Sequence, residues 1–504
     1  MTDGGRTPSW GASLSWQSLN VLLQVVLQLV YIRILAGLLT EEDFGIMAIA
    51  LIVVGVVEIF AQVGIGPSVV QYAGLKSQHT SSAWWFSAVL GLLFFCAMFV
   101  AAPEIALHYG EPVLQPVLRW ISLSFVISGF SVVSRSLLIR EMNFKALTAC
   151  ALAGMLVGNL GVGLVLAWNG AGVWAYVSAL LVQNAVLSVG YLVYARIPVA
   201  NGFRFSRIRE MVGYGLRSTA FNLLTYAAAK VDVWLVGEKL STGETGVYDR
   251  AVNLMGQPIT VLGKLGDSVL FSGLSSLQHE LDKMRQVTLR GMHVIALLTI
   301  PLAAALVLQA EGVTWLFLGD RFSEAAPVVQ ILFAAVAFRA LTKLGDANLR
   351  ALDGLRLGIG IKVVFFAAVG SGVYVALDRG MGMTGAAWAV VGASALQWAL
   401  TTAWVMSRLK LTPVAVLHAL ASGLVLGLVV VGSMAAMTLP WWLEATVAAF
   451  LALGILVASP SLAVPRWADP DAQIRTSVAR WLPGAARARW TPMNNSPRDG
   501  VEHP

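Results

Sequence analysis

Apolar stretches of about 20 residues recur along this chain from residue 12 to residue 459, separated by short segments rich in Gly, Pro and charge. At about 1.5 Å per residue, each matches the roughly 30 Å hydrocarbon core of a bilayer. A helix suits that medium because its backbone hydrogen bonds close within the segment. Hydrophobic residues make up 57% of the chain and charged ones 12%, against about a quarter charged in soluble domains. The expected class is therefore an all-α polytopic membrane protein with about 14 spans. They begin at 12–34 and 44–66, include 213–236, 246–271 and 326–349, and end at 414–438 and 441–459. The eighth is interrupted by Pro258, and the tenth carries four charges. No cleavable signal peptide is expected, because the first apolar segment runs on too long and carries glutamines.

Basic residues orient the spans. With both termini cytoplasmic, the inner segments hold Arg135, Arg140 and Lys145, then Arg204, Arg207 and Arg209, then Lys283, Arg285 and Arg290. The outer loops hold only Arg33, Lys239, Arg321 and Arg379, beside many acids such as Glu41, Glu42, Asp43, Glu111, Glu238 and Glu244. This is the positive-inside bias of a cytoplasmic membrane protein. All connections are short, so none holds a soluble domain of the size that membrane glycosyltransferases, ligases and polymerases usually need.

Leu39-Thr40-Glu41-Glu42-Asp43-Phe44-Gly45 is echoed in the second half by Leu240-Ser241-Thr242-Gly243-Glu244-Thr245-Gly246. Both contain [ST]-x-x-[DE], the box that satisfies free N–H groups at a helix start. The expected organisation is an N-terminal lobe of six helices over 1–200 and a second over 201–412. Accessory helices 13 and 14 follow over 413–459, and a basic cytoplasmic tail over 460–504.

The eighth span carries Asp249, Asn253, Gln257, Thr260, Lys264 and Asp267 at steps of three and four, which puts them on one face. The first carries Ser13, Gln17, Asn20, Gln24, Gln28 and Tyr31 in the same rhythm. The seventh places Arg217, Thr225 and Asp232 within one arc, with Lys230 opposite, and the tenth has Arg339, Lys343, Asp346 and Arg350. Polar residues at this depth usually face a bundle interior or an aqueous cavity. The candidate cavity residues are Gln24, Gln28, Arg217, Asp232, Asp249, Arg250, Asn253, Gln257, Lys264, Asp267, Arg339 and Lys343. Bases outnumber acids inside the spans, which suits an anionic ligand. Structural pairing, such as Lys264 with Asp267 or Lys343 with Asp346, is the competing account of any one charge. Glu58, isolated on the second span, joins Asp232 and Asp267 as a candidate for ion coupling.

Catalytic constellations are missing. There is no Walker A sequence, H-E-x-x-H or nucleophile elbow. The six histidines show no ligand spacing, Asp469-Pro470-Asp471 reads as chance composition in the tail, and Cys96 and Cys150 read as core packers.

Residues 32–71 resemble the signature of the bacterial polysaccharide exporters, the oligosaccharide flippases of the multidrug/oligosaccharidyl-lipid/polysaccharide superfamily. Arg33, Leu35, Asp43, Phe44, Gly45, Gly64 and Gln71 carry the likeness, with Thr40 where the family usually has Pro. Asp232, Gly237, Gly246, Tyr248, Arg250 and Pro258 extend it into the seventh and eighth spans, and the type is that of the colanic acid and xanthan exporters. The resemblance implies two six-helix bundles in a V that rock between inward and outward openings. It also implies an undecaprenyl-pyrophosphate-linked oligosaccharide as cargo, moved without chemistry, with Arg217, Arg250, Lys264 or Arg339 holding the pyrophosphate. No cofactor is expected, only a proton or sodium gradient. Membrane lipids, a polysaccharide polymerase and a chain-length regulator are candidate partners, nucleic acid is not, and a monomer is expected. An ion-coupled drug antiporter of the same superfamily would want an acidic cavity. An O-antigen ligase or polymerase would want a large outer loop.

Overall fold

The structure, a computed structural model, describes residues 24, 26–62, 64–72, 74–195, 202–276, 280–352 and 354–436. The expected span 441–459, the tail and Ser13, Gln17 and Asn20 lie outside the described residues, as do the side chains of Arg217, Lys264 and Asp267. Every regular element among the described residues is helical.

The first half comprises α1 (Val26–Leu38), α2 (Glu41–Gln62), a short helix Ile65–Gln71 and α3 (Ser77–Tyr109). It continues through α4 (Leu114–Arg140), α5 (Phe144–Trp168) and α6 (Val173–Tyr194). The second half comprises α7 (Phe205–Lys239), α8 (Thr242–Ser276), α9 (Leu281–Leu308) and the short helix Ala310–Leu318. Then follow α10 (Ala325–Ala351), α11 (Leu355–Asp378), α12 (Gly382–Leu409) and α13 (Pro413–Ala436). Ten of these, α2 to α6 and α9 to α13, are long and apolar enough to cross a membrane. The long helices α7 and α8 are not among the ten, and α8 continues as helix through Pro258. Cys150 is buried, but Cys96 is exposed on α3 and so is not a core packer.

Helices α2 to α6 pack among themselves, as do α7 to α13, and α2 crosses both α7 and α8 to join the halves. The two echoed heptapeptides create that crossing. Thr40 N–H and Oγ1 both donate to Asp43 Oδ2 (3.0 and 3.1 Å), and Asp43 N–H returns a bond to Thr40 Oγ1 (3.2 Å). Ser241 and Glu244 repeat the same three bonds at 3.0, 2.7 and 3.2 Å. A methyl on Gly45 would sit 1.8 Å from Thr242 O, and one on Gly246 would sit 2.1 Å from Glu41 O. Because Gly45 corresponds to Gly246 and Glu41 to Thr242, each cap presses its glycine onto its counterpart's first turn. The contact is reciprocal about a local two-fold. Close backbone approach through small residues is a common way for helices in lipid to gain contact.

This cap end carries further bonds between the halves. His108 Nε2 meets Glu238 Oε1 at 3.0 Å, Thr242 Oγ1 donates to Glu111, and Arg321 donates to Leu39 O at 3.3 Å. At the opposite, far end, Glu210 near the start of α7 accepts from Tyr72 Oη (3.0 Å) and meets His79 Nε2 (3.0 Å). Ser68 Oγ donates to Met211 O there at 3.1 Å. His79 Nδ1 accepts from Lys76 N–H (3.1 Å), which leaves Nε2 as the nitrogen that carries the proton toward Glu210.

Candidate functional site

Asp249 sits two turns into α8, 2% exposed, just inside the glycine crossing. Lys230 Nζ from α7 donates to its Oδ1 at 3.2 Å, and Arg250 donates to its Oδ2 at 2.5 Å. Asn253 Nδ2 adds bonds to the same Oδ2 (2.8 Å) and to Asp249 O (2.7 Å). Two cations thus share one carboxylate, and net positive charge remains.

Arg250 is 4% exposed and its guanidinium carbon lies 4.8 Å above the Phe44 ring and 5.9 Å above that of Tyr176. Its Nε has no partner among the described residues. A guanidinium stacked on rings is held by cation–π attraction and keeps in-plane donors for a planar or tetrahedral anion. Beside it opens a crevice between α1 and α8, lined by Leu29, Ile32, Arg250, Asn253, Gln257 and Phe317. The upper part of the α8 stripe therefore has one side in the charged cluster and the other on this crevice.

The remaining predicted residues divide. Lys230 and Asp232 are two steps apart on α7, about 200°, and so serve different junctions. Asp232, 3% exposed, lies within electrostatic reach of Arg339 and beside the buried Tyr248. Arg339 Nε also donates to Ser394 Oγ on α12 at 3.2 Å. This second cluster joins α7, α8, α10 and α12 and is coupled to the first electrostatically, since Lys230 also lies within reach of Asp232. Asp346 meets Lys362 of α11 at 3.8 Å, and Lys343 on α10 is half-buried. On α1, Gln24 is half-buried and Gln28 exposed. Glu58 is half-buried on α2, near Tyr226 of α7, whose hydroxyl donates to Leu51 O at 2.9 Å. Thr260 bonds back to Gly256 O (2.9 Å).

Sequence reasoning missed the aromatic platform. Phe44 was within reach, since it sits inside the echoed cap, but nothing marks Tyr176 among the other residues of an apolar span. Among the described residues no group of three or more His, Cys, Asp or Glu could hold a metal.

Similarity to known proteins agrees with this architecture. The chain is 22% identical over 332 residues to the lipopolysaccharide biosynthesis protein WzxC of Escherichia coli (strain K12), covering 65% of this chain and 66% of that one. It is 24% identical over 322 residues to the succinoglycan biosynthesis transport protein ExoT of Rhizobium meliloti (strain 1021), covering 64% and 65%. It thus spans about two thirds of the length of these relatives. Its fold superimposes on the lipid II flippase MurJ in an inward closed conformation with a TM-score of 0.71 at 12% identity, covering 89% of this chain and 98% of that one. Residues 34–327, which include both echoed caps, the Phe44 platform and the Asp249 cluster, match the model of one family, and the chain belongs to the polysaccharide biosynthesis protein family.

Proposed function

We propose that this protein is a flippase that moves undecaprenyl-pyrophosphate-linked oligosaccharide units from the inner to the outer leaflet of a bacterial cytoplasmic membrane. The observation that carries the reading is the surplus cation at Asp249. Lys230 and Arg250 outnumber their carboxylate beside a crevice with apolar walls, the arrangement that a diphosphate on a lipid tail requires. The name of ExoT, a biosynthesis transport protein, and the MurJ fold support the direction of the assignment. A drug antiporter taking small cations would face the same surplus as a repulsion.

In this reading the cap end is periplasmic, the termini are cytoplasmic, and residues 1–200 and 201–412 are two lobes that rock about the α2 crossing. Residues 413–459 are accessory to the second lobe. The chain acts as a monomer without chemistry on its cargo, and a proton or sodium gradient drives the cycle through Glu58, Asp232 or Asp267. A polymerase and a chain-length regulator receive the product.

The test is a liposome assay with a fluorescent polyprenyl-diphosphate oligosaccharide, scored by its exposure to an external quencher, alongside polymer secretion in cells. Arg250→Gln, Arg217→Ala and Lys264→Ala are expected to insert at normal level and to lower movement of the labelled lipid at least about tenfold, the worth of one charge-assisted hydrogen bond. Wild-type rates in all three would remove the cationic site from the mechanism.

A further inference from the structure

Helices α1, α5 and α6 carry a set of amides that the Asp249 cluster does not use. Within α5, residues Met155–Gly163 form a π-helix, in which bonding runs from i to i+5. Methyl groups placed on Gly154, Gly158 and Gly163 would lie 3.1 Å from Gln183 O, 2.6 Å from Gln183 N and 2.8 Å from Ala179 Cβ, all on α6. The last step, from 158 to 163, is five residues and would turn an α-helix about 140° away from its neighbour. The π segment absorbs that excess and returns Gly163 to the α6 face. A methyl on Gly163 would also lie 3.0 Å from the Tyr31 hydroxyl of α1, so three helices meet at one depth.

That hydroxyl is buried without a hydrogen-bond partner among the described residues. One turn farther from the cap end lie Asn159 on α5, Gln183 on α6 and Gln28 on α1, with Gln24 a turn beyond. Tyr31, Gln28 and Gln24 share one face of α1 by their spacing, as Tyr176 and Gln183 share one face of α6. Gln24, Asn159 and Gln183 are half-buried and Gln28 is exposed. No side-chain hydrogen bond joins any of the four to another described residue. Half-buried amides without partners are costly unless water or a ligand satisfies them. Gln183 lies seven residues, about 10 Å, along α6 from Tyr176, the ring under Arg250.

We infer that Asn159 and Gln183, together with Gln24 and Gln28 and the Tyr31 hydroxyl, read the sugar hydroxyls of the cargo while Arg250 and Lys230 hold its diphosphate. The inference rests on the flippase reading above and extends it to substrate selection. Each amide offers two donors and an acceptor, which matches a hydroxyl that both gives and takes a proton. A site that pairs with hydroxyls discriminates strongly, because a cargo lacking them leaves its own groups unpaired.

The full-length chain in liposomes tests this with two probes, a polyprenyl-diphosphate monosaccharide and a polyprenyl-diphosphate oligosaccharide. Asn159→Leu and Gln183→Met keep volume and remove hydrogen bonding. Each is expected to slow the oligosaccharide about tenfold and the monosaccharide less than about twofold. Asn159→Gln and Gln183→Asn, which keep an amide, are expected to recover at least part of the lost ratio. If wild type moves both probes and the Leu and Met variants, folded as judged by melting, leave the ratio unchanged, these amides have no part in selection. If wild type moves neither, the flippase reading falls and this inference with it.

Discussion

Asp249 holds Lys230, Arg250 and Asn253 through two oxygens, so its loss would strand two cations at once. Removing one partner of a buried ion pair costs about 3–5 kcal/mol, whereas replacing the pair by apolar groups of similar volume is often tolerated. Asp249→Ala should therefore lower the melting temperature in detergent sharply, and Asp249→Ala with Arg250→Met should regain much of the loss. Equal melting of the single and double variants would show that Arg250 is satisfied elsewhere. Glu210 gives the opposite kind of prediction, because it lies before the predicted span 213–236. Donation by His79 and then Tyr72 holds its carboxyl below the ordinary value of 4.5. A group depressed on folding stabilises above its unfolded value, and that contribution fades as pH falls through the folded one. The melting gap between wild type and Glu210→Gln should be present near neutral pH and close in acid. A gap that does not change with pH would mean that the carboxylate charge is not what the contact uses.

At the scale of helices, the α2 and α8 starts were legible because both signals are local. A hydroxyl, two residues and an acid before an apolar run specify a cap, and both boxes form. The polar face Asp249-Asn253-Gln257 was legible for the same reason, since it needs only helical periodicity. What the residue pattern could not reveal is which base reaches Asp249. Lys230 comes from the preceding helix and depends on how α7 packs on α8, whereas the Phe44 and Tyr176 rings come from two helices of the other half and depend on how α2 crosses α8. Likewise the reach of Lys362 from α11 to Asp346, at 3.8 Å, depends on how α10 and α11 pack and is not written in either helix alone. The crossing makes its own prediction. Gly246→Val places side-chain atoms within the space now held by the Glu41 carbonyl and should cost about 1–3 kcal/mol as an overpacked contact. It should also raise labelling of Glu111→Cys by a charged maleimide as the cap end parts. Gly256→Ala, which meets nothing within 4 Å, should cost nothing and leave labelling unchanged. Equal labelling of the two variants would show that the crossing does not hold this end shut.

For the whole molecule, the bonds between halves at both ends of the bundle describe a closed state, and transport requires at least one end to part. His108→Cys with Glu238→Cys, oxidised in the membrane, should stop polymer secretion, and a reductant should restore it. Secretion that continues with the pair fully cross-linked would mean that the cap end need not separate between α3 and α7. The reciprocal seating of Gly45 and Gly246 has one more consequence. In a symmetric pair of identical chains, whatever stands at one side of the axis must stand at the other, so an arginine at position 250 would face its own copy a short distance away. Here the equivalents of Asp249 and Arg250 are Ala48 and Ile49, both buried and uncharged, and Thr245 stands where the first half has Phe44. Two halves joined in one chain need not mirror each other, so a single lopsided charge can be kept beside a reciprocal contact.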